Sequence, residues 1–144
     1  MAMTVDGPDA ILVAVDAFET SYRAGAYAAG LARRQNARLI CLYVHSRGGL
    51  SSLSPALAGP VSEAQGQTAA EIRRTIATNA GRLGIDVTFI EATGNPAQEI
   101  ARVADELRVD AVVVGASSQA GHKFIGSIAT ALVRSARWPV TVVP

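Results

Sequence analysis

Five short apolar runs, separated by segments of helical period, constrain the fold of this chain more than any other feature. The runs are Ile11 to Val15, Leu39 to His45, Val87 to Glu91, Ala111 to Val114 and Val140 to Val143. Because each run is short and nearly continuous in apolar character, the runs are typical of strands in a parallel sheet covered on both faces. Right-handed crossovers through the helical segments then predict an α/β fold with an open, doubly wound sheet.

The four helical segments show apolar stripes of unequal clarity. We expect the first helix from about Ser21 to Gln35 and the second from about Ser62 to Leu83, where the pattern is weakest. The side chains predicted to face the sheet are Ala24, Tyr27, Ala28 and Leu31 in the first helix, Ile72, Ile76 and Leu83 in the second, Ile100, Val103, Ala104 and Leu107 in the third, and Ala129, Leu132, Val133 and Ala136 in the fourth.

The third helix carries the clearest end signals. Asn95 is a capping residue, Pro96 suits the first turn, and Gln98 completes a capping box. Gly84 is placed to end the second helix, since glycine adopts the left-handed conformation common there. Arg134 and Arg137 are expected in the last turns of the fourth helix, where cations favour the helix dipole.

Length and composition indicate one domain. A chain of 144 residues that is 49% hydrophobic can bury most of its apolar side chains in a single core, which predicts one domain over residues 1–144. Residues 1–8 are expected to be flexible. Residues 46–61 are rich in Ser, Gly and Pro and predict a long loop. That loop follows the carboxyl end of a strand, so it is either a lid over a site or a mobile surface loop.

Charge and hydropathy exclude several classes of partner. With 13 Lys plus Arg against 12 Asp plus Glu, the net charge of +1 supplies no extended basic field for nucleic acid. The longest apolar runs fall far short of the ~20 residues that span a bilayer, so no membrane partner is expected. The amino terminus lacks the features of a secretory signal. These observations predict a cytoplasmic protein. The single cysteine, Cys41, lies within an apolar run and is expected to be a buried, inert thiol.

Candidate site residues lie where the strands end, since ligands of open α/β sheets bind outside the carboxyl ends of the strands. Asp16 follows the first run, and it is placed either to bind a ribose hydroxyl or a divalent metal, or to cap the next turn. The fourth run ends in Gly115, and a loop from Ala116 to Ile125 leads to Gly126-Ser127 at a helix start. Free N–H groups at such a start make a plausible phosphate cradle.

Six segments together resemble one known family. They are Ala14-Val15-Asp16, Leu42-Tyr43-Val44, Gly94-Asn95-Pro96, Asp110 to Gly115, Gly126-Ser127 and Pro139 to Val143. On these segments, which extend over nearly the whole chain, the protein resembles the universal stress proteins. The resemblance implies a five-stranded parallel sheet in the order 3-2-1-4-5 with helices on both faces. It also implies a homodimer joined through the last strand, by Val140, Thr141, Val142 and Val143.

The resemblance also implies an adenine-nucleotide site, with departures from the pattern of members that bind ATP. That pattern has a glycine three residues after the first glycine and a third glycine ten residues later, before Ser or Thr. Here Ser118 replaces the second glycine, and Gly126 follows after only seven more residues, so the loop is two residues short. Phe18 stands in the first motif, where the family usually has serine.

The binding residues implied by the resemblance belong to the strand ends and to the loop before the fourth helix. They are Ala14, Asp16, Val44, Gly115, Ser118, Gly121, His122, Lys123, Gly126, Ser127 and Ile128. The implied ligand is ATP with Mg²⁺, held near Asp16 through the nucleotide, or a smaller adenine nucleotide such as a cyclic one. For His122 and Lys123, a solvated surface is the alternative to a role in binding.

Other functional classes fit the sequence less well. A receiver domain would need an acid after the third strand and a lysine after the fifth, and neither is present. A nucleotide-activating enzyme of the pyrophosphatase type would need a Ser-Gly-Gly loop after the first strand. Ser117 and Ser118 lie near His122 in the sequence, but no acidic residue is evident that would orient the histidine. A dedicated catalytic activity is therefore not expected, and at most slow ATP hydrolysis is expected. The sequence thus predicts a stress-response regulator; the alternative is a dimeric interaction module that binds no nucleotide.

Overall fold

The apolar runs form one parallel sheet in the computed structural model, which describes residues 7–45, 55–119 and 122–144. Its strands are β1 (Ala10–Ala14), β2 (Arg38–His45), β3 (Val87–Thr93), β4 (Ala111–Gly115) and β7 (Val140–Val143). The strand order is β3-β2-β1-β4-β7 and every pairing is parallel. Since β7 is the fifth apolar run, this confirms the expected order 3-2-1-4-5, with β1 at the centre and β7 at one edge.

Within the described residues, four helices connect these strands. They are α1 (Glu19–Gln35), α2 (Pro55–Leu83), α3 (Pro96–Glu106) and α4 (Ser127–Ser135). A short antiparallel hairpin of β5 (Ser117–Gln119) and β6 (His122–Phe124) stands between β4 and α4. Within the described ranges, no helix is long and apolar enough to cross a membrane.

The alternation of side chains along the strands builds one apolar core on each face of the sheet. On one face, Leu12, Ile40 and Val112 pack with Ile100 of α3 and Leu132 of α4. On the other, Ile11, Val13, Leu39, Cys41 and Val113 pack with α1 through its alanines Ala24, Ala28 and Ala32. Helices therefore cover both faces, as expected of a doubly wound sheet.

The predicted helix-end signals act as expected at two positions. The side chain of Asn95 accepts a hydrogen bond from the Gln98 N–H at 3.1 Å, and Pro96 is the first residue of α3. Gly84 has φ +64°, the left-handed conformation that ends α2. These local signals are reliable because each satisfies backbone groups that the helix itself leaves unpaired.

Four side chains predicted to face the sheet are instead exposed, and one of them, Ala136, lies just past the end of α4. Tyr27 is 43% exposed, Leu83 39% and Val133 55%. On α1 the buried row runs along every fourth residue, through Ala24 and Ala28, so Tyr27 falls on its solvent side. A helical stripe is wide enough to admit several rows, and only the neighbouring elements decide which row is covered.

Two helices begin earlier than predicted. α1 begins at Glu19, and α2 begins at Pro55, so the predicted loop 46–61 is wrong for residues 55–61. Pro55 occupies a first helical position, where its missing N–H costs nothing, so this proline starts a helix. The remaining part of that loop, 46–54, and residues 1–6 of the predicted flexible terminus lie outside the described residues.

Trp138 covers the core rather than standing apart from it. Its ring packs against the cluster that contains Leu132 and Ile100, and the Arg137 guanidinium lies 4.7 Å from the ring centroid. Arg137 also forms an ion pair with Asp105 of α3. This arrangement joins the end of α4 to α3 at the entry to β7.

Adjacent residues of α4 test the assignment of its buried face. Leu132 is 1% exposed and Val133 is 55% exposed. We expect Leu132→Ala to lower the free energy of unfolding by about 2–5 kcal/mol, because it leaves a cavity in the core. We expect Val133→Ala to change it by less than about 0.5 kcal/mol. Urea denaturation measures both, and equal effects would contradict the assignment.

Candidate functional site

A pocket of about 530 Å³ opens at the carboxyl ends of β1 and β4. The chain leaves β1 for α1 on one face of the sheet and β4 for α4 on the other, which makes this the point where ligands of open α/β sheets bind. The lining residues are Ala14, Val15, Asp16, Phe18, Glu19, Thr20, Ser21, Leu42, Val44, Pro96, Ile100, Val114, Gly115, Ala116, Ser117, Gly126, Ile128 and Ala129.

Three helices begin at this pocket. Glu19, Pro96 and Gly126, at the starts of α1, α3 and α4, all line it. The first N–H groups of a helix have no partner within the helix and carry partial positive charge. At α4 the capping residue is Gly126, which has no side chain to accept from them. The pocket therefore presents free backbone donors that suit an anion.

Asp16 holds the turn between β1 and α1. Its Oδ1 accepts from the Phe18 N–H at 2.8 Å, and its own N–H donates to the Ser21 hydroxyl oxygen at 2.6 Å. The carboxyl lies at the pocket wall, where partial burial raises its pKa, while the hydrogen bonds from Phe18 and Ser21 lower it. The turn-capping role expected as an alternative is present, and the same carboxyl also lines the pocket.

Gly115 and Gly126 are required by close packing. A Cβ at Gly115 would lie 2.7 Å from the Thr20 carbonyl carbon and 2.8 Å from its oxygen. A Cβ at Gly126 would overlap the Ser117 hydroxyl. Neither glycine has a positive φ, so their small size, and not their backbone freedom, is what the structure uses. Gly115 lets the start of α1 approach β4, and this approach forms one wall of the pocket.

The predicted loop between Gly115 and Gly126 contains the β5–β6 hairpin, which sequence reasoning missed. Ser118 lies opposite Lys123, and Gln119 lies opposite His122. The side chains of Ser118, His122 and Lys123 are outside the described part of the structure, as is Gly121 entirely. A polar segment with few β-branched residues shows little alternation, so its pairing depends on the fixed ends at Gly115 and Gly126.

The pocket brings together six of the residues singled out in the sequence. They are Ala14, Asp16, Val44, Gly115, Gly126 and Ile128. Ser127 is exposed at the first position of α4 and does not line the pocket. Sequence reasoning missed Thr20 and Ser21, which are buried polar residues in the first turn of α1. Ser and Thr are mostly exposed in proteins, so nothing in the sequence marked these two as buried.

The His45 side chain belongs to a separate network on the α2 side. Its Nε2 lies 2.9 Å from Glu91 Oε1, and Arg73 donates to Glu91 Oε2 at 3.1 Å. The hydrogen bond with His45, more than the one with Arg73, lowers the pKa of Glu91. The Tyr43 ring meets the His45 ring edge-on at 4.8 Å. His45 does not line the pocket.

The described residues contain no cluster of three or more His, Cys, Asp or Glu side chains that would hold a metal ion. Asp16 and Glu19 are the carboxylates of the pocket lining, and Glu19 pairs with Arg23. Cys41 is buried as expected, and burial raises the pKa of its thiol to about 12, so it stays protonated at neutral pH.

Comparison with known proteins gives one consistent result. The sequence profile of the universal stress protein family matches residues 8–144. A universal stress protein from Methanocaldococcus jannaschii is 25% identical over 142 residues, which cover 92% of this chain and 80% of that protein. The structure of the universal stress protein UspA from Lactobacillus plantarum is 25% identical, with a TM-score of 0.78 over 94% of this chain and 97% of that one.

A further similar structure contains a bound nucleotide. It is a universal stress protein in complex with cAMP, 25% identical to this chain, with a TM-score of 0.67. The match covers 96% of this chain and 98% of that one.

Two glycine substitutions test the close approach of α1 to β4. We expect Gly115→Ala to cost about 1–3 kcal/mol of stability, because the added methyl meets the Thr20 backbone. The control is Gly25→Ala within α1, where a Cβ meets nothing within 4 Å. That change should raise stability by about 0.5–1 kcal/mol, because alanine favours the helix. Urea denaturation distinguishes the two, and a neutral Gly115→Ala would show that the approach is not tight.

Proposed function

The chain belongs to the universal stress protein family, and on that premise we propose that its carboxyl-end pocket binds an adenosine monophosphate, cyclic or linear. Occupancy of this pocket would be the signal that a stress-response regulator reads. The observation that carries the proposal is that Asp16 and the uncapped start of α4 at Gly126 line the same pocket. One offers a carboxylate acceptor and the other offers backbone donors, as a ribose phosphate requires.

Each part of such a ligand has a complementary wall. The N–H groups of the first turn of α4 are placed to donate to the phosphate. The Asp16 carboxylate is placed to accept from ribose hydroxyls. Leu42, Val44 and Pro96 form an apolar wall on which the adenine ring would lie. The pocket volume of about 530 Å³ falls within the range of about 300–1,000 Å³ that small-molecule sites occupy.

Charge favours a monophosphate over a triphosphate. Among the described lining residues there is no Lys or Arg, whereas Asp16 and Glu19 are acidic. Backbone donors and helix dipoles alone stabilise a single phosphate better than the several negative charges of ATP, which usually require a lysine, an arginine or a metal ion. Lys123, predicted to take part in binding, lies in β6 and is the cation nearest to Gly126 along the chain.

The loop between β4 and α4 also favours a monophosphate over a triphosphate. Its residues pair with one another in the β5–β6 hairpin, with Ser117 opposite Phe124 and Ser118 opposite Lys123. A paired hairpin has fewer free backbone donors than an open glycine loop, so it is less suited to wrapping a chain of phosphates. The cAMP complex of a protein 25% identical to this one supports an adenine nucleotide of the proposed size.

Calorimetric titration with cAMP, AMP and ATP with Mg²⁺ tests the proposal. We expect cAMP or AMP to bind more tightly than ATP. Asp16→Asn should weaken the binding of cAMP about 10- to 100-fold, because it replaces a hydrogen bond to a charged acceptor by one to a neutral acceptor. The control is Asp86→Asn, an exposed residue before β3 at the opposite end of the sheet.

The stability of the free variant separates binding from folding. Partial burial raises the pKa of Asp16, so ionising this carboxyl costs stability as the pH rises through the shifted pKa. Asn keeps an acceptor for the Phe18 N–H without that charge. Asp16→Asn should therefore not destabilise the unliganded protein at pH 7. No heat from any of the three nucleotides at millimolar concentration would contradict the proposal, and ATP binding tighter than that of cAMP would contradict its choice of ligand.

We also propose that the protein forms a homodimer through β7. On one side this strand pairs with β4. The Pro139 carbonyl accepts from an N–H of β4, and the Val143 carbonyl accepts from the N–H of the residue that follows β4. Backbone groups alternate in direction along a strand, so those of Val140 and Val142 point away from β4 at an open edge. Pairing with the same edge of a second copy would satisfy them.

Val142→Pro tests this interface, because proline removes the outward N–H of Val142 and spares the bonds to β4. Val142→Ala is the control, since it shortens the side chain and keeps the N–H. In sedimentation at micromolar concentration, we expect dimers for the wild type and for Val142→Ala and monomers for Val142→Pro. A monomeric wild type, or a dimer that survives the proline, would contradict the proposal.

A further inference from the structure

A second cavity, of about 310 Å³, lies between α1 and α2 on the face of the sheet that carries Cys41. Its floor consists of side chains of β2, β3 and the end of β1, and its walls are two helical rows that face each other. One row is Ser21, Tyr22, Gly25, Ala26 and Ala29 of α1; the other is Ile72, Thr75, Ile76, Asn79, Ala80 and Leu83 of α2. We refer to this cavity as the α1–α2 cleft.

Three small residues of α1, Gly25, Ala26 and Ala29, line the cleft and help to keep it open. Gly25 lies in the interior of α1, where glycine costs roughly 0.5–1 kcal/mol relative to alanine. Neither of the usual reasons for a glycine applies at this position. Its φ is not positive, and a Cβ there would meet nothing within 4 Å. Because Gly25 lines the cleft, a larger residue at this position would extend into it.

The dimensions and chemistry of the cleft indicate its ligand. One end of the cleft lies at Leu39, which is level with its pairing partner Ile11 of β1. The other end lies at Val15, four residues after Ile11 and thus roughly 13 Å away. Its floor residues Leu39, Cys41 and Val87 are apolar. A cavity this long, narrow and apolar fits a hydrocarbon chain better than a compact polar molecule.

The end of the cleft near the start of β3 carries a cation. Arg82 lines it there, and among the described residues no carboxylate lies within ion-pair distance of this guanidinium. Asn79, one turn earlier on α2, adds a polar group to the same wall. Guanidinium groups bind carboxylates through paired charge-assisted hydrogen bonds. We propose that the α1–α2 cleft is a second ligand site, for a medium-chain carboxylate whose hydrocarbon lies along the cleft and whose carboxylate meets Arg82.

This site is independent of the nucleotide proposal, although the two cavities adjoin. Val15, Asp16 and Ser21 line both of them. Gly25 and Arg82 line only the cleft. Variants at these two positions therefore report on the cleft alone, and titrations without nucleotide keep the two proposals separate.

Decanoate is the probe, titrated by calorimetry into the 144-residue chain below its micelle concentration. We expect saturable binding that Gly25→Leu abolishes, because leucine fills the cleft. Gly81→Leu is the matched control: Gly81 lies in α2, a Cβ there also meets nothing within 4 Å, and it does not line the cleft. Arg82→Gln should weaken decanoate binding about 10- to 100-fold and leave the binding of decan-1-ol unchanged.

Circular dichroism and thermal melting show whether each variant folds. If Gly25→Leu does not fold, Ala29→Leu in the same wall replaces it. No heat from decanoate with the wild type, or wild-type affinity in folded Gly25→Leu or Ala29→Leu, would overturn the proposal. The proposal would also be overturned if Gly25→Leu still bound decanoate and cAMP competed with it, because the decanoate would then lie in the nucleotide pocket. If Gly25→Leu left decanoate binding unchanged and altered only the sedimentation of the protein, the cleft would be an interface between copies and the proposal would be overturned.

Discussion

The close approach of α1 to the end of β4 is the contact on which the rest of the structure depends. At Gly115 there is no room for even a methyl group beside the Thr20 backbone. The same helix continues across the sheet on alanines, Ala24, Ala28 and Ala32, each buried almost completely. Small residues thus set the distance of α1 from the sheet. This distance places the start of α1 beside β4 and forms one wall of the carboxyl-end pocket.

The same packing explains how the carboxyl-end pocket and the α1–α2 cleft both form beside α1. α1 lies close over β1 and β4, and its side toward α2 carries Gly25, Ala26 and Ala29, so the two helices do not close over the floor between them. One cavity is polar at its rim and faces three helix starts, and the other is apolar with a cation at one end. Val15, Asp16 and Ser21 separate them. A ligand in either cavity would contact this shared wall.

Sequence reasoning succeeded where a residue acts on its own neighbours along the chain. Asn95 caps α3 and Gly84 ends α2 because each satisfies backbone groups within one turn. It failed where a distant element decides. Tyr27 and Val133 satisfy the period of a buried stripe, yet no element of the described structure covers them. The β5–β6 hairpin was missed because its pairing depends on where Gly115 and Gly126 hold its ends, and not on any alternation within it.

The order and spacing of apolar runs are enough to specify a doubly wound sheet, because strand and helix periods are local properties and crossover handedness follows from chain chirality. They also place Asp16, Gly115 and Gly126 at one edge of that sheet, since the carboxyl ends of parallel strands meet there. Only the tertiary structure decided that these glycines serve close packing and that Thr20 and Ser117 are their neighbours. Only the tertiary structure, too, decided that a cleft lies between α1 and α2. Contacts and cavities depend on distances between elements far apart in the chain, which no local pattern encodes.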